Sequence, residues 1–109
     1  MKKLLVTSIL LMSVCLFITV GFTQETAKEE PGEAMFKKHC AICHRDGGNI
    51  INPKKTLHKK DLDASNFKKA DDIVKLMING GTGMPKFNDN TIPDKDAREI
   101  AEYILKTFK

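Results

Sequence analysis

The sequence predicts a small all-α domain, because helical apolar spacing recurs along it and no segment shows the alternation typical of a β-strand. The chain has 109 residues, enough for one such domain. The strongest pattern lies near the C-terminus, where apolar residues follow one helical face. These residues are Ala97, Ile100, Ala101, Ile104, Leu105 and Phe108. Their spacing predicts a helix that begins near Pro93 or Asp94 and ends near Phe108.

Three earlier segments complete the predicted set of helices. They are Gly32 to Ala41, His58 to Ala64, and Ala70 to Ile78. The middle segment has the weakest pattern of the three. In the last one, Ile73, Leu76 and Met77 share one face, and Asp72 lies in the first turn, where the helix dipole favours an acid. Gly80 opens a glycine-rich stretch that predicts the end of this helix.

The N-terminal stretch has the pattern of a secretory signal peptide. Lys2 and Lys3 supply positive charge, and the run from Leu4 to Val20 is almost wholly apolar. We predict cleavage after Thr23. The resulting layout is a signal peptide over residues 1–23, a flexible lead-in over 24–31 and a domain over 32–109.

Two other fates of this segment stay open. The 19 residues from Leu4 to Phe22 are long enough to remain as a membrane anchor. Alternatively, Cys15 could carry a lipid. Each outcome places the domain outside the cytoplasm, in the periplasm, and membrane attachment requires that the segment or a lipid be retained.

Composition argues against a nucleic-acid partner. Loss of Lys2 and Lys3 lowers the formal net charge from +4 to +2. The chain has one Tyr and no Trp, and it has no basic stripe with interleaved aromatic residues. A domain of this size often needs a metal, a disulfide or a cofactor to stabilise its core.

The segment Cys40-Ala41-Ile42-Cys43-His44 has the pattern of a c-type haem attachment site. Two thiols one helical turn apart can each form a thioether bond to a vinyl group on one side of a porphyrin. The next residue, His44, then lies beneath the iron and can ligate it through a ring nitrogen. The sequence therefore predicts one covalent haem c.

Two other uses of these thiols are weaker. A zinc site needs four ligands, and His39, His58 and a carboxylate could complete it, but none of them has regular spacing. A dithiol redox pair of the thioredoxin type would need a βαβ context, which the sequence lacks.

Several motifs together resemble the class I cytochromes c, and in particular the short forms of the c6 or c553 type. They are Gly32 to Phe36, Gly47-Gly48-Asn49, Asn52 to Leu57, Gly83-Met84-Pro85 and a C-terminal helix with Tyr103. The interval of 40 residues between His44 and Met84 also fits the short form. The resemblance covers residues 32–108 and implies three to four helices wrapped around one covalent haem.

The resemblance implies Met84 as the second axial ligand, and the local sequence agrees. Met84 follows a glycine-rich break that permits close backbone approach, and Pro85 stiffens the loop after it. A thioether ligand favours ferrous iron and raises the reduction potential. Met35, Met77 and His58 are the alternatives, of which the two methionines lie on apolar helix faces.

The resemblance also implies roles around the iron ligands. The Pro53 carbonyl is expected to accept the Nδ1 proton of His44, unless it belongs to an ordinary turn. Asn49 and Asn52 either bind a haem propionate or support the loop. Gly32 and Phe36 are expected to meet the C-terminal helix near Ile100 and Tyr103.

These observations predict a monomeric, monohaem single-electron carrier in the periplasm that serves redox protein partners and is not an enzyme. A membrane-anchored relay subunit, a small haem sensor or enzyme with a labile Met84, and a structural metal-binding module are the alternatives. Adjacent lysines form either a solvated face or a docking surface for an acidic partner. They are Lys54, Lys55, Lys59, Lys60, Lys68 and Lys69.

Overall fold

The structure, a computed structural model, describes residues 27–109. The predicted signal peptide over 1–23 and Cys15 lie outside these residues. The helices are α1 (Pro31–His39), α2 (Ala41–His44), α3 (Lys59–Ala64), α4 (Ala70–Asn79) and α5 (Asp94–Thr107), with a 3-10 turn at Arg45–Gly47. Within the described range there is no strand, only an isolated bridge between Gly81 and Met84. The all-α prediction is confirmed.

The first predicted helix is divided at Cys40. Helix α1 ends at His39, and Cys40 has φ −117° and ψ −36°, so that α2 starts as a separate short turn. The prediction of one helix from Gly32 to Ala41 was therefore wrong, because α1 and α2 are two separate helices here. The other predicted helices begin and end within two residues of their predicted bounds.

Helices α1 and α5 are in very close contact. A Cβ on Gly32 would lie 2.2 Å from the carbonyl oxygen of Glu99, so the absence of a side chain is what permits this approach. Further along α1, the ring of Phe36 lies 5.4 Å from the rings of both Tyr103 and Phe108. The predicted contact of Gly32 and Phe36 with the C-terminal helix is present.

The core lies where α4 and α5 pack together against α1. The predicted apolar stripe of α5 is its buried face, and Ile100 and Ala101 are fully buried. Helix α4 buries Ile73, Val74 and Met77. Its N-terminus is held by the side chain of Asp72, which accepts hydrogen bonds from the backbone N–H groups of the two preceding lysines at 3.0 and 3.1 Å.

A side-chain hydrogen bond fixes the start of α3. The Thr56 hydroxyl donates to Oδ2 of Asp61 at 2.5 Å, and the Thr56 backbone N–H donates to the same oxygen at 3.2 Å. These bonds favour the ionised carboxylate and hold the pKa of Asp61 below its usual range. Because the folded-state pKa is depressed, this stabilisation is present above the unfolded pKa and is lost as the pH falls through the folded value.

We therefore expect Asp61→Asn to lower the melting temperature at neutral pH, by less as the pH falls below about 4. Thermal unfolding followed by circular dichroism at several pH values measures this difference. Thr56→Ser keeps the hydroxyl and should retain most of the stability. A difference between Asp61→Asn and wild type that stays constant down to pH 3 would show that the charge of Asp61 has no part in it.

Candidate haem site

The attachment segment is wound into one helical turn. The backbone N–H groups of Cys43 and His44 both donate to the Cys40 carbonyl, at 3.1 and 2.9 Å. Cys40 and Cys43 are partly buried, and they are not joined by a disulfide. The two thiols and the imidazole are thus presented from a single turn, as attachment to one side of a porphyrin requires.

The imidazole of His44 is fixed by a backbone group. Its Nδ1 donates to the Gly48 carbonyl at 2.7 Å. The expectation that the Pro53 carbonyl accepts this proton is wrong in this structure, where Pro53 is exposed. The physical reason is the 3-10 turn between His44 and Gly48, which is closed by a hydrogen bond from the Gly48 N–H to the Arg45 carbonyl. This turn brings the Gly48 carbonyl back to the imidazole. With the proton on Nδ1, Nε2 is the nitrogen left to ligate a metal.

The turn that carries the Gly48 carbonyl is anchored to the C-terminus. Gly47 has φ +77°, and a Cβ there would lie 2.6 Å from the ring of Phe108. The Gly47 carbonyl accepts a hydrogen bond from the Leu57 N–H at 2.7 Å. The sequence did not lead us to expect Gly48 as the acceptor for His44. The Gly-Gly pair three and four residues after His44 is nevertheless the signal for such a turn.

The side chain of Asn49 organises the loop that follows. Its Oδ1 accepts the backbone N–H groups of Ile51 and Asn52 at 3.0 and 2.9 Å, and its Nδ2 donates to the Lys55 carbonyl at 2.8 Å. Oδ1 of Asn52 accepts the backbone N–H of Lys54 at 3.2 Å. Of the two roles considered for these asparagines, support of the loop is the one that the contacts favour.

Met84 lies in a tight turn between α4 and α5. Its N–H donates to the Gly81 carbonyl at 3.0 Å, and the Gly81 N–H donates back at 3.3 Å. Gly80 and Gly83 have φ values of +70° and +77°, which glycine adopts without strain. The side chain of Met84 is partly buried and packs against the core.

The alternative axial ligands are placed differently. Met77 is 3% exposed and belongs to the core, and Met35 packs against the same core. His58 is exposed, and its ring lies 6.0 Å from that of Phe108. Of Met35, Met77 and Met84, only Met84 therefore lies in a loop.

The donor chemistry fits a haem c better than zinc or a dithiol couple. Burial raises the pKa of the Cys40 thiol to about 11, so it stays protonated at neutral pH. Dithiol exchange requires a free thiolate, so the raised pKa disfavours it, whereas thioether formation uses the thiol. A zinc ion would displace the thiol proton itself, so the case against zinc is the lack of further ligands. Within residues 27–109, no three His, Cys, Asp or Glu side chains are grouped so as to hold a metal ion.

A polar atom beside the attachment site also lacks a partner. Nε2 of His39, the residue before Cys40, is buried and makes no hydrogen bond within the described part of the chain. Because buried polar atoms are rarely left unpaired, the surroundings of Cys40 are consistent with a site that a further group completes. Two thiols, an oriented imidazole and a thioether are together the set of groups that a haem c takes.

Comparison with known proteins places the chain in a family. Residues 27–104 match the family model described as cytochrome C oxidase, cbb3-type, subunit III. Cytochrome c6 of Cyanidium caldarium is 35% identical over 94 residues, which cover 86% of this chain and 84% of that protein. Cytochrome c6 of Synechocystis sp. is 39% identical over 87 residues, which cover 80% and 72% respectively. This chain belongs to the class I c-type cytochromes and is c6-like.

Solved structures agree with this assignment. The outer membrane cytochrome OmcF from Geobacter sulfurreducens is 38% identical, with a TM-score of 0.69 over 72% of this chain and 99% of that one. The predicted class I resemblance is confirmed. The cytochrome carries one covalently attached haem c and acts as an electron carrier. In the part of the chain that the structure describes, no helix is both long and apolar enough to cross a bilayer.

Proposed function

We propose that this cytochrome transfers single electrons between redox proteins in the periplasm, with its haem held by Cys40, Cys43, His44 and Met84. The observation that carries the proposal is the bond from Nδ1 of His44 to the Gly48 carbonyl. It orients the imidazole, which follows Cys43 directly and Cys40 by one helical turn, and leaves Nε2 for the iron. Cys40 and Cys43 supply the thioether bonds, and Met84 supplies the second axial ligand from its turn.

Two protein ligands at the axial positions have a chemical consequence. When bound, the haem supplies the one-electron couple between ferric and ferrous iron. With His44 and Met84 both ligating the iron, no coordination position would be open to a substrate, and the haem would exchange electrons with partners without forming a bond to them. This cytochrome is therefore a carrier and not an enzyme. Met84, as a soft thioether, favours the ferrous state and keeps the reduction potential high.

The N-terminal segment decides between a diffusing carrier and a fixed relay. We propose removal of residues 1–23, which leaves the lead-in over 24–31 and the haem domain over 32–109 as a freely diffusing monomer. The match to an oxidase subunit family favours the second candidate, a relay held at the membrane by a retained segment or a lipid. Intact mass spectrometry of the purified protein distinguishes them, because a carrier has the mass of residues 24–109 plus one haem. A mass that includes residues 1–23, or a lipid on Cys15, would establish the relay.

Lysines beside the site are suited to docking. Lys54 and Lys55 are exposed, and their loop begins at Gly48, the residue that orients His44. Long-range attraction between these charges and an acidic partner raises the association rate and is screened by salt.

We expect Lys54→Glu/Lys55→Glu to slow oxidation of the ferrous protein by hexacyanoferrate(III) about tenfold at low ionic strength, and hardly at all at high salt. Stopped-flow kinetics across a salt series measures the effect. Lys68→Glu/Lys69→Glu is the control, since it makes the same change of charge at the start of α4. Equal slowing by both double variants would indicate a net-charge effect without a local docking surface.

A further inference from the structure

The loop over 48–55 touches both segments that carry the proposed axial ligands. On one side, the Gly48 carbonyl accepts Nδ1 of His44 at 2.7 Å, and the Ile50 N–H donates to the Cys43 carbonyl at 3.1 Å. On the other side, the side chain of Ile51 lies against Gly83, the residue before Met84. This loop therefore links the attachment turn to the Met84 turn.

The contact with Gly83 is close and involves a single side chain. A Cβ on Gly83 would lie 2.8 Å from Cγ2 and 3.2 Å from Cδ1 of Ile51, and the three nearest atoms to that position all belong to Ile51. The missing side chain of Gly83 thus lets Ile51 pack directly on the backbone of the turn.

The Met84 side chain packs on the core, and the N–H groups of Gly80 and Phe87 bond to carbonyls of α4 on either side of the turn. Between these points few hydrogen bonds hold the backbone of the Met84 turn. Its own hydrogen bonds are the pair between Gly81 and Met84, at 3.0 and 3.3 Å. Gly80, Gly81 and Gly83 give this stretch the large conformational freedom of glycine. Ile51, in contrast, is held in place, because its N–H is bonded to Oδ1 of Asn49 and that amide also bonds to Lys55.

We propose that Ile51 is a positioning residue that keeps the Met84 turn closed and so strengthens the bond between the methionine sulfur and the haem iron. The inference rests on the proposed function, in which Met84 is the axial ligand. Without this side chain the turn opens more often, and the open fraction sets how readily an external ligand replaces the sulfur. Outer-shell groups around metal ligands commonly change metal affinity 10- to 100-fold.

The test compares Ile51→Ala with Ile50→Ala in the haem-loaded protein. Both residues are exposed isoleucines of the same loop, at 56% and 67%, but the atoms on Gly83 belong to Ile51. We expect Ile51→Ala to raise the affinity of the ferrous protein for carbon monoxide at least about tenfold, and Ile50→Ala to leave it unchanged. The near-infrared methionine-to-iron band of ferric Ile51→Ala should also vanish at a lower temperature, well before the far-ultraviolet circular dichroism changes.

The outcomes separate this inference from the function on which it rests. A wild-type protein without the band would overturn both, because Met84 would not be a ligand. A wild-type protein with the band, together with equal carbon monoxide affinities in the two variants, would overturn the role of Ile51 alone. If Ile51→Ala yields no haem-loaded protein, Ile51→Val removes only Cδ1 and should shift both measurements in the same direction by a smaller amount; no shift would again overturn it.

Discussion

Replacement of Met84 by alanine is expected to abolish the near-infrared methionine-to-iron band of the ferric cytochrome completely. The same variant should bind carbon monoxide in its ferrous state, since the gas no longer has to displace a methionine sulfur. Its reduction potential should fall, because a thioether stabilises ferrous iron and the water or other ligand that replaces it does so less. Absorbance spectroscopy of the two oxidation states and a potentiometric titration measure these three effects.

Controls for this prediction come from the alternative ligands. Met77→Leu keeps the volume of a buried side chain and should cost less than about 1.5 kcal/mol of stability, with the band unchanged. His58→Ala should also leave the spectrum unchanged, because His58 is exposed. If Met84→Ala kept the near-infrared band, Met84 would not be a ligand of the iron. If the ferrous wild-type protein itself bound carbon monoxide, this result would instead favour a haem sensor or enzyme with a labile methionine.

The features that could be predicted from the sequence are those that depend on residues close together in the chain. The stripe from Ala97 to Phe108 predicted α5, because a helix that buries one face has apolar residues at every third or fourth position. The attachment pattern predicted haem c because the reach of two thiols fixes their spacing. Both signals lie within a few consecutive residues, so they need no knowledge of the rest of the fold.

The missed features depend on backbone conformation or on distant contacts. Whether the Gly48 or the Pro53 carbonyl meets His44 is decided by the turn at Arg45–Gly47, in which Asp46 takes φ +54°. A left-handed non-glycine residue gives no clear sequence signal. The contact between Ile51 and Gly83 joins residues 32 positions apart, and neither pattern nor propensity identifies such a pair.

Gly32 is expected to be the most sensitive glycine of the helical core. In Gly32→Ala the new Cβ would lie 2.2 Å from the carbonyl oxygen of Glu99, 2.8 Å from its carbonyl carbon and 3.0 Å from Cβ of Tyr103. Two of these atoms are backbone and cannot rotate away, so α1 and α5 must separate. We expect a loss of about 2–3 kcal/mol in the free energy of unfolding, and a larger loss for Gly32→Val. Denaturant unfolding of the haem-loaded protein, followed by circular dichroism, measures it.

Gly81→Ala provides the matched comparison, because its nearest neighbour would be Cδ1 of Leu76 at an ordinary 3.7 Å. That variant should change the free energy of unfolding by less than about 1 kcal/mol. Since α1 and α5 pack by backbone approach at Gly32 and by aromatic contact at Phe36, the two parts of the interface can be separated. Phe36→Leu weakens only the aromatic contact, whereas Gly32→Ala forces the helices apart and should also loosen the packing of Phe36 on Phe108. If Gly32→Ala were as stable as wild type, the two helices could not be in backbone contact at that residue.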